Sequence, residues 1–276
     1  MALIGTASGQ EKSNAGLNFY VDGRDSSQTS IIQQLGTSPC DGKIEGATWS
    51  SEGGGSWYFD GTNDRVVFGS DGTTATQTDS NHYYEYMHDY VAGGHGQCVV
   101  DAWIKPSTSG AGAPILAKRT DNNGWPIIDF RVHSVNSFDM DCSAGGYGGS
   151  LMYSRANDNV ISTGTWYHVG WSFCQRVGSG GSSNSYSNRT LWLNGVKITT
   201  NKTVYGSDKN DLTISNRPFT MGNIADGSSW VNSYFHGYIA IVRLYSCSKG
   251  SSTKRWLFNE NIIKQHYDSE RSRFGV

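Results

Sequence analysis

Apolar and polar residues alternate in short runs along most of the chain, and clusters of Gly, Asn, Asp and Ser separate the runs. Alternation with a period of two sends successive side chains to opposite faces of a strand, so the pattern predicts an all-β sandwich or jelly roll. In Cys98-Val99-Val100-Asp101-Ala102-Trp103-Ile104, the set Cys98, Val100, Ala102 and Ile104 shares one face, while Val99 and Trp103 share the other. Large apolar groups on both faces mark a central strand covered on both sides. Tyr167, Val169, Trp171 and Phe173 form a second core stripe, with His168 in a hydrogen-bonded role on the same strand. Leu191-Trp192-Leu193-Asn194-Gly195-Val196-Lys197-Ile198 predicts a hairpin, because Asn-Gly supplies the positive φ angles of a type I′ turn. Further strands are expected at 15–22, 55–60, 64–68, 113–119, 126–132, 136–142, 210–214, 218–222 and 234–246. Helical spacing is read in 251–267, where Trp256, Ile263 and Tyr267 share a face and predict a short amphipathic helix packed on a sheet.

This organisation implies one domain over residues 15–276, preceded by a polar arm at 1–14 and interrupted by an insertion at 69–96. The Gly/Ser tract 178–187 lies between two strong strands and reads as a loop tip. Composition agrees with a folded chain: 276 residues carry 12% aromatics and only 17% charged residues, whereas disordered chains lack such large apolar groups. The net charge is −2 and the basic residues are scattered, which argues against a nucleic-acid partner. The stretch 1–16 has no basic segment followed by an apolar run, and no long apolar run occurs elsewhere, so neither a secretion signal nor a membrane span is expected. Cys40, Cys98, Cys142, Cys174 and Cys247 are widely separated and odd in number, which favours buried free thiols over a disulfide framework or a zinc site.

Four stretches occur in an order that resembles the laminin-G-like jelly-roll family of the concanavalin A-like lectin/glucanase superfamily. They are Gly55-Ser-Trp-Tyr-Phe-Asp-Gly-Thr-Asn-Asp-Arg-Val-Val-Phe68, Gly164-Thr-Trp-Tyr-His-Val169, Thr190-Leu-Trp-Leu-Asn-Gly-Val196 and Phe235-His-Gly-Tyr-Ile-Ala-Ile-Val-Arg-Leu-Tyr245. The resemblance covers roughly residues 15–247 and implies two antiparallel sheets packed face to face. Leu17-Asn-Phe-Tyr-Val-Asp-Gly23 and Gln265-His-Tyr-Asp-Ser-Glu-Arg-Ser-Arg-Phe-Gly275 resemble the flanks of such domains in tailed-phage structural proteins, especially those of phages infecting aquatic bacteria. That resemblance implies a virion surface protein, assembled in the host cytoplasm in multiple copies. It would serve as a head decoration or a tail-fibre or knob component, with other capsid or tail proteins as partners.

Retaining glycosidases of the superfamily need two carboxylates roughly 5–5.5 Å apart. The family's Glu-x-Asp-x-x-Glu pattern is absent here, and Glu11, Glu45, Glu52, Glu85, Glu260 and Glu270 are far apart in sequence. Asp139-Met140-Asp141 comes nearest, with both carboxylates on one strand face, but no third acid follows. A non-enzymatic protein is therefore expected. No resident cofactor is required, and calcium is the one candidate, with oxygens from Asp60, Asn63 and Asp64 in one turn. Turn-forming backbone bonds are the alternative role for these side chains. The family often has an acidic residue two positions before the Val-Arg of its last long strand, where this chain has Ala240, and that departure weakens the family's calcium site. Loop-borne Tyr83, Tyr84, Tyr86, Tyr90, Trp125 and Trp230 are the candidates for contact with a host glycan or a protein partner, the alternative being internal packing. A carbohydrate-binding lectin-like module is thus the second functional reading. The sequons at Asn188 and Asn201 carry no weight in a chain expected to lack a secretion signal.

Overall fold

The computed structural model describes residues 17–32, 41–68, 97–108, 112–119, 126–133, 136–143, 151–176, 186–204, 218–226, 229–230, 233–247 and 261–276. In chain order the strands are β1 (Leu17–Asp22), β2 (Ile31–Ile32), β3 (Gly42–Glu45), β4 (Thr48–Ser50), β5 (Ser56–Asp60), β6 (Arg65–Phe68), β7 (Gln97–Pro106), β8 (Ala113–Arg119), β9 (Pro126–His133) and β10 (Ser137–Ser143). They continue as β11 (Leu151–Ala156), β12 (Tyr167–Arg176), β13 (Tyr186–Leu193), β14 (Val196–Ile198), β15 (Thr200–Val204), β16 (Phe219–Met221), β17 (Ala225–Asp226), β18 (Ser229–Trp230) and β19 (His236–Cys247). Helix α1 (Ile262–Phe274) follows, and a short 3-10 turn, Glu52–Gly54, precedes β5.

The strands build two antiparallel sheets, as expected for a jelly-roll sandwich. The first has eight strands in the order β14-β13-β12-β7-β19-β5-β4, with β1 also paired to β19. The second has nine, in the order β15-β11-β10-β9-β8-β16-β6-β3-β2, and β17 pairs β18 separately. The predicted central strand is β7, flanked by β12 and β19. The predicted hairpin joins β13 to β14, with Asn194 at φ 49° and Gly195 at φ 73°. Residues 1–14, the insertion 69–96 and the expected strand 210–214 lie outside the described residues.

One sequence expectation is corrected. The helix was placed at 251–267, but α1 runs seven residues further, to Phe274, and Trp256 lies outside the described residues. The run Asp268-Ser-Glu-Arg-Ser-Arg273 has the polarity of a solvated end, yet Glu270, Arg273 and Phe274 turn toward the first sheet.

The core forms between the inner faces. Phe19, Trp57, Phe59, Val100, Ala102, Val169, Trp171 and Leu244 come from the first sheet, and Phe68, Ile128, Phe130, Phe138, Met140 and Phe219 from the second. Phe19 bridges the two, with its ring 4.8 Å from Phe68 and 6.1 Å from Phe219. Cys98 is buried in this layer. On the outer face of the first sheet, α1 buries Ile262 and Ile263 against Leu17, Val99, Trp192 and Tyr245, and Phe274 against Trp103, Trp166, Ala240 and Ile241. Gly170 permits this approach, since a Cβ there would lie 3.0 Å from Ile263. Among the described residues no helix is long and apolar enough to cross a membrane.

Candidate functional site

Between the two apolar contacts of α1 lies a buried polar hub centred on Asp101 of β7. Asp101 Oδ1 accepts from His168 Nε2 at 3.1 Å and from Arg243 Nη1 at 3.1 Å, and Oδ2 accepts from His266 Nδ1 at 2.9 Å. Arg243 also pairs with Glu270 of α1, which accepts the Trp103 indole N–H at 2.8 Å. Burial pushes the Asp101 carboxyl up, but the His266 ring and the Arg243 guanidinium outweigh it and hold the group well below the usual carboxylate range. Burial and Arg243 push His266 down, against Asp101. Every group of the hub faces another, so the hub fastens the helix. His168 takes the hydrogen-bonded role expected of it on β12, and among the described residues its Nδ1 has no hydrogen-bond partner.

The outer face of the second sheet gathers Asp129, Arg131, Asp139, Asp141 and Tyr153 from β9, β10 and β11. Cross-strand register aligns them: Asp139 lies opposite Arg131, and Asp141 opposite both Asp129 and Tyr153. Arg131 donates to Asp139 Oδ1 at 2.8 Å and to Asp129 Oδ2 at 2.8 Å, while Tyr153 Oη donates to Asp139 Oδ2 at 2.9 Å. Asp139 is fully buried. Burial raises its carboxyl against the pull of Arg131. Burial works against the Arg131 cation, but the three aspartates outweigh it and raise the group above its ordinary value. Both oxygens of Asp139 are engaged within the cluster.

The three calcium candidates share one turn after β5. Asp60 Oδ1 accepts from the Thr62 N–H at 2.7 Å and the Asn63 N–H at 3.4 Å, and Asp64 Oδ2 accepts from the Asp60 N–H at 2.8 Å. These are turn-forming bonds. These three side chains alone supply too few oxygens for calcium, which takes roughly six to eight, and Asp60 Oδ1 and Asp64 Oδ2 already serve the turn. Among the described residues no group of three or more His, Cys, Asp or Glu could hold a metal ion.

Of the six aromatic candidates, Tyr83, Tyr84, Tyr86, Tyr90 and Trp125 lie outside the described residues, and Trp230 is in β18, paired with Ala225. The structure instead assembles an aromatic belt on the outer face of the first sheet. Trp103 stacks on Phe274 at 4.1 Å, Phe274 meets Trp166 at 4.8 Å, Trp166 meets Tyr238 at 6.3 Å, and Tyr238 meets Tyr58 at 5.0 Å. Register produces the outer part of this row, since Tyr58 lies opposite Tyr238, and Tyr238 opposite Lys105. Trp103, Trp166 and Phe274 are buried, whereas Tyr58, Tyr238, His236 and Lys105 are partly exposed. Tyr58 Oη is 3.0 Å from His236 Nε2, and Thr108 Oγ1 is 3.4 Å from His236 Nδ1. Lys105 Nζ lies 5.7 Å from the centre of the Tyr238 ring and 3.0 Å from Glu52 Oε1, which also accepts the Trp166 indole N–H at 3.2 Å.

Residues 79–252, more than half of the chain, match the laminin-G-like family of the concanavalin A-like lectin/glucanases superfamily. The chain belongs to this superfamily. Among solved structures, a Trypanosoma rangeli sialidase in complex with 2,3-difluorosialic acid is similar at a TM-score of 0.58 and 13% identity, over 95% of this chain and 34% of that one. The binding domain of botulinum neurotoxin DC, in complex with rat synaptotagmin II, is similar at a TM-score of 0.57 and 11% identity, over 93% of this chain and 52% of that one. The chain thus spans about a third of the sialidase and half of the toxin domain, and at these identities the likeness is one of fold. No curated protein sequence matches the chain.

Among the described residues of this concanavalin A-like domain, the sandwich extends well before the matched segment, from β1 to β19. Sequence reasoning missed the belt because contact candidates were sought on loops, whereas Tyr58 and Tyr238 sit in the expected strands 55–60 and 234–246. The available signal was alternation in Trp57-Tyr58-Phe59, which turns Tyr58 away from its two buried neighbours.

Proposed function

We propose that this concanavalin A-like domain is a non-enzymatic surface component of a bacteriophage particle, a head decoration or tail-fibre knob that docks on other virion proteins and contacts host glycans. The observation that carries the reading is the contact between the two stretches that resemble the flanks of phage laminin-G-like domains. Asp22 of the first and Arg273 of the second pair at 2.9 Å, so the two resemblances belong to one structural unit. The engaged oxygens of Asp139 support a binding role over a hydrolytic one. The neighbours described above include a sialidase holding a sialic acid derivative and a toxin domain holding a protein receptor, so binding to either class of ligand fits the fold.

The domain is proposed to span residues 15–276, to assemble in the host cytoplasm and to dock through the polar arm 1–14 or the tyrosine-rich insertion 69–96. Mass spectrometry of purified particles, with copy number measured against the major shell protein, tests the virion role. Multiple copies per particle are expected, and absence from the particle overturns it. Deletion of residues 1–14 without loss of incorporation assigns docking to the insertion. Polysaccharide cleavage by the purified protein that disappears in Asp139→Asn or Asp141→Asn would overturn the non-enzymatic part.

A further inference from the structure

Strand faces turned to water normally carry small polar or charged side chains, and a group of partly exposed aromatic rings on such a face marks a contact surface. The open half of the belt is such a group. The rings of Tyr58 and Tyr238 lie 5.0 Å apart and inclined at 51°, which makes a shallow trough rather than a flat stack. Its floor is fixed from below. Tyr238 continues into Trp166 and Trp103, on which Phe274 of α1 packs, and Tyr58 is held by His236. Rings held in this way lose little freedom on binding.

Polar groups border the trough on each side. His236 and Thr108 lie beside Tyr58, Lys105 and Glu52 lie beside Tyr238, and among the described residues the Tyr238 hydroxyl makes no hydrogen bond. Lys105 and Glu52 neutralise each other at 3.0 Å, so the border offers donors and acceptors without a net charge from this pair. Aromatic faces beside an electrically balanced polar rim complement a molecule with C–H faces and hydroxyl edges. They complement an anionic polymer or an aliphatic peptide face less well.

We propose that Tyr58 and Tyr238, with His236, Lys105, Glu52 and Thr108 at the rim, form a binding surface for an uncharged saccharide. The surface takes the sugar without calcium, although it borders the turn Asp60–Asp64 where His236 lies opposite Asp60. The inference rests on the glycan-contact part of the proposed function and names the residues and ligand class for it.

The test titrates the purified full chain with soluble neutral oligosaccharides (maltoheptaose, laminarihexaose, cellohexaose and xylohexaose) at millimolar concentrations. Saturation-transfer NMR and intrinsic fluorescence give the readouts. At least one oligosaccharide is expected to bind, with affinity falling roughly tenfold or more in Tyr238→Ala and Tyr58→Ala. Tyr58→Phe keeps the ring and should bind within a few-fold of the parent, and chelation of calcium should leave binding unchanged. Circular dichroism confirms that each variant is folded. Failure of every oligosaccharide to bind the parent overturns the proposal, as does binding that is indifferent to both Tyr→Ala changes. Particle incorporation, measured on the same variants, separates this inference from the virion role. Sugar binding by a protein absent from particles overturns the virion role alone, and incorporation without sugar binding overturns this inference alone.

Discussion

Arg273 donates to the Asp22 carboxylate at 2.9 Å, although 251 residues separate the two in the chain. The same guanidinium donates to the Gly53 carbonyl at 2.8 Å and the Gly55 carbonyl at 2.7 Å, so it ties β1, the 3-10 turn and α1 together. Burial raises the Asp22 carboxyl, but Arg273 and Arg24 outweigh it and hold the group below its ordinary range. Arg273→Ala removes a nearly buried partner and two carbonyl contacts and is expected to destabilise the fold by about 2–4 kcal/mol. Arg273→Lys keeps the charge without the fork and should fall between. Urea denaturation followed by tryptophan fluorescence measures both.

Replacing Asp101 by Asn leaves Arg243 and two imidazoles around a neutral amide. The expected loss is about 1.5–3 kcal/mol, because buried Arg243 keeps Glu270 but loses its second carboxylate. Thermal unfolding of Asp101→Asn against the parent reads it.

Acid should weaken the fold in two stages. His266 is pushed below its ordinary 6.5, so the unfolded chain takes up its proton first, and stability falls as pH drops below that value. Asp101 and Asp22 are held below their ordinary 3.8, so their contribution is present above that value and is lost as pH falls through their lowered ones. Asp139 is raised, so its protonation in the fold relieves a burial penalty as pH falls toward 3.8, before the second stage begins. Denaturation midpoints across pH should show both stages in the parent, while His266→Gln should shrink the first to the part that His133, also lowered by burial, contributes, and retain the second.

The turn after β5 is held by its own backbone bonds, so neither added calcium nor a chelator should move the unfolding temperature. Asp64→Ala frees the Asp60 N–H in a partly buried setting and should destabilise by about 1–2 kcal/mol, equally with and without calcium. Differential scanning fluorimetry with and without the ion checks both statements.

Gly195 has φ 73° in the β13–β14 turn, and a Cβ on it would lie 2.7 Å from Tyr267 Cδ1. Gly195→Ala is therefore expected to destabilise by about 1–3 kcal/mol. Faster amide exchange near Tyr267 is expected to accompany it, because the helix must yield where the turn touches it.

Much of this architecture could be read from side-chain alternation. β7, β8 and the β13–β14 hairpin follow patterns in which large apolar groups recur every second residue. The strands that were not anticipated carry little of that pattern. Among the described residues β2, β4 and β15 are the end strands of their sheets, with a ladder partner on one side only, and polar side chains are tolerated there. The end of α1 was missed because Glu270 and Arg273 look solvated until Arg243 and Asp22, distant in sequence, are brought beneath them. The aromatic belt was hidden for a related reason. Its rings come from three strands, the residue just before β12 and a helix end, and their adjacency depends on cross-strand register, which local periodicity does not encode.

β19 holds β7 along one edge and both β5 and β1 along the other. Emerging from the ribosome, β1, β5 and β7 must therefore wait, with their pairing edges unmet, until a strand some 130 residues beyond β7 is made. Such a topology folds slowly and as one unit, and its nascent chain passes through a stage in which open strand edges invite pairing with other chains. Yield in cells should accordingly depend on synthesis rate and temperature more steeply than the finished protein's stability suggests.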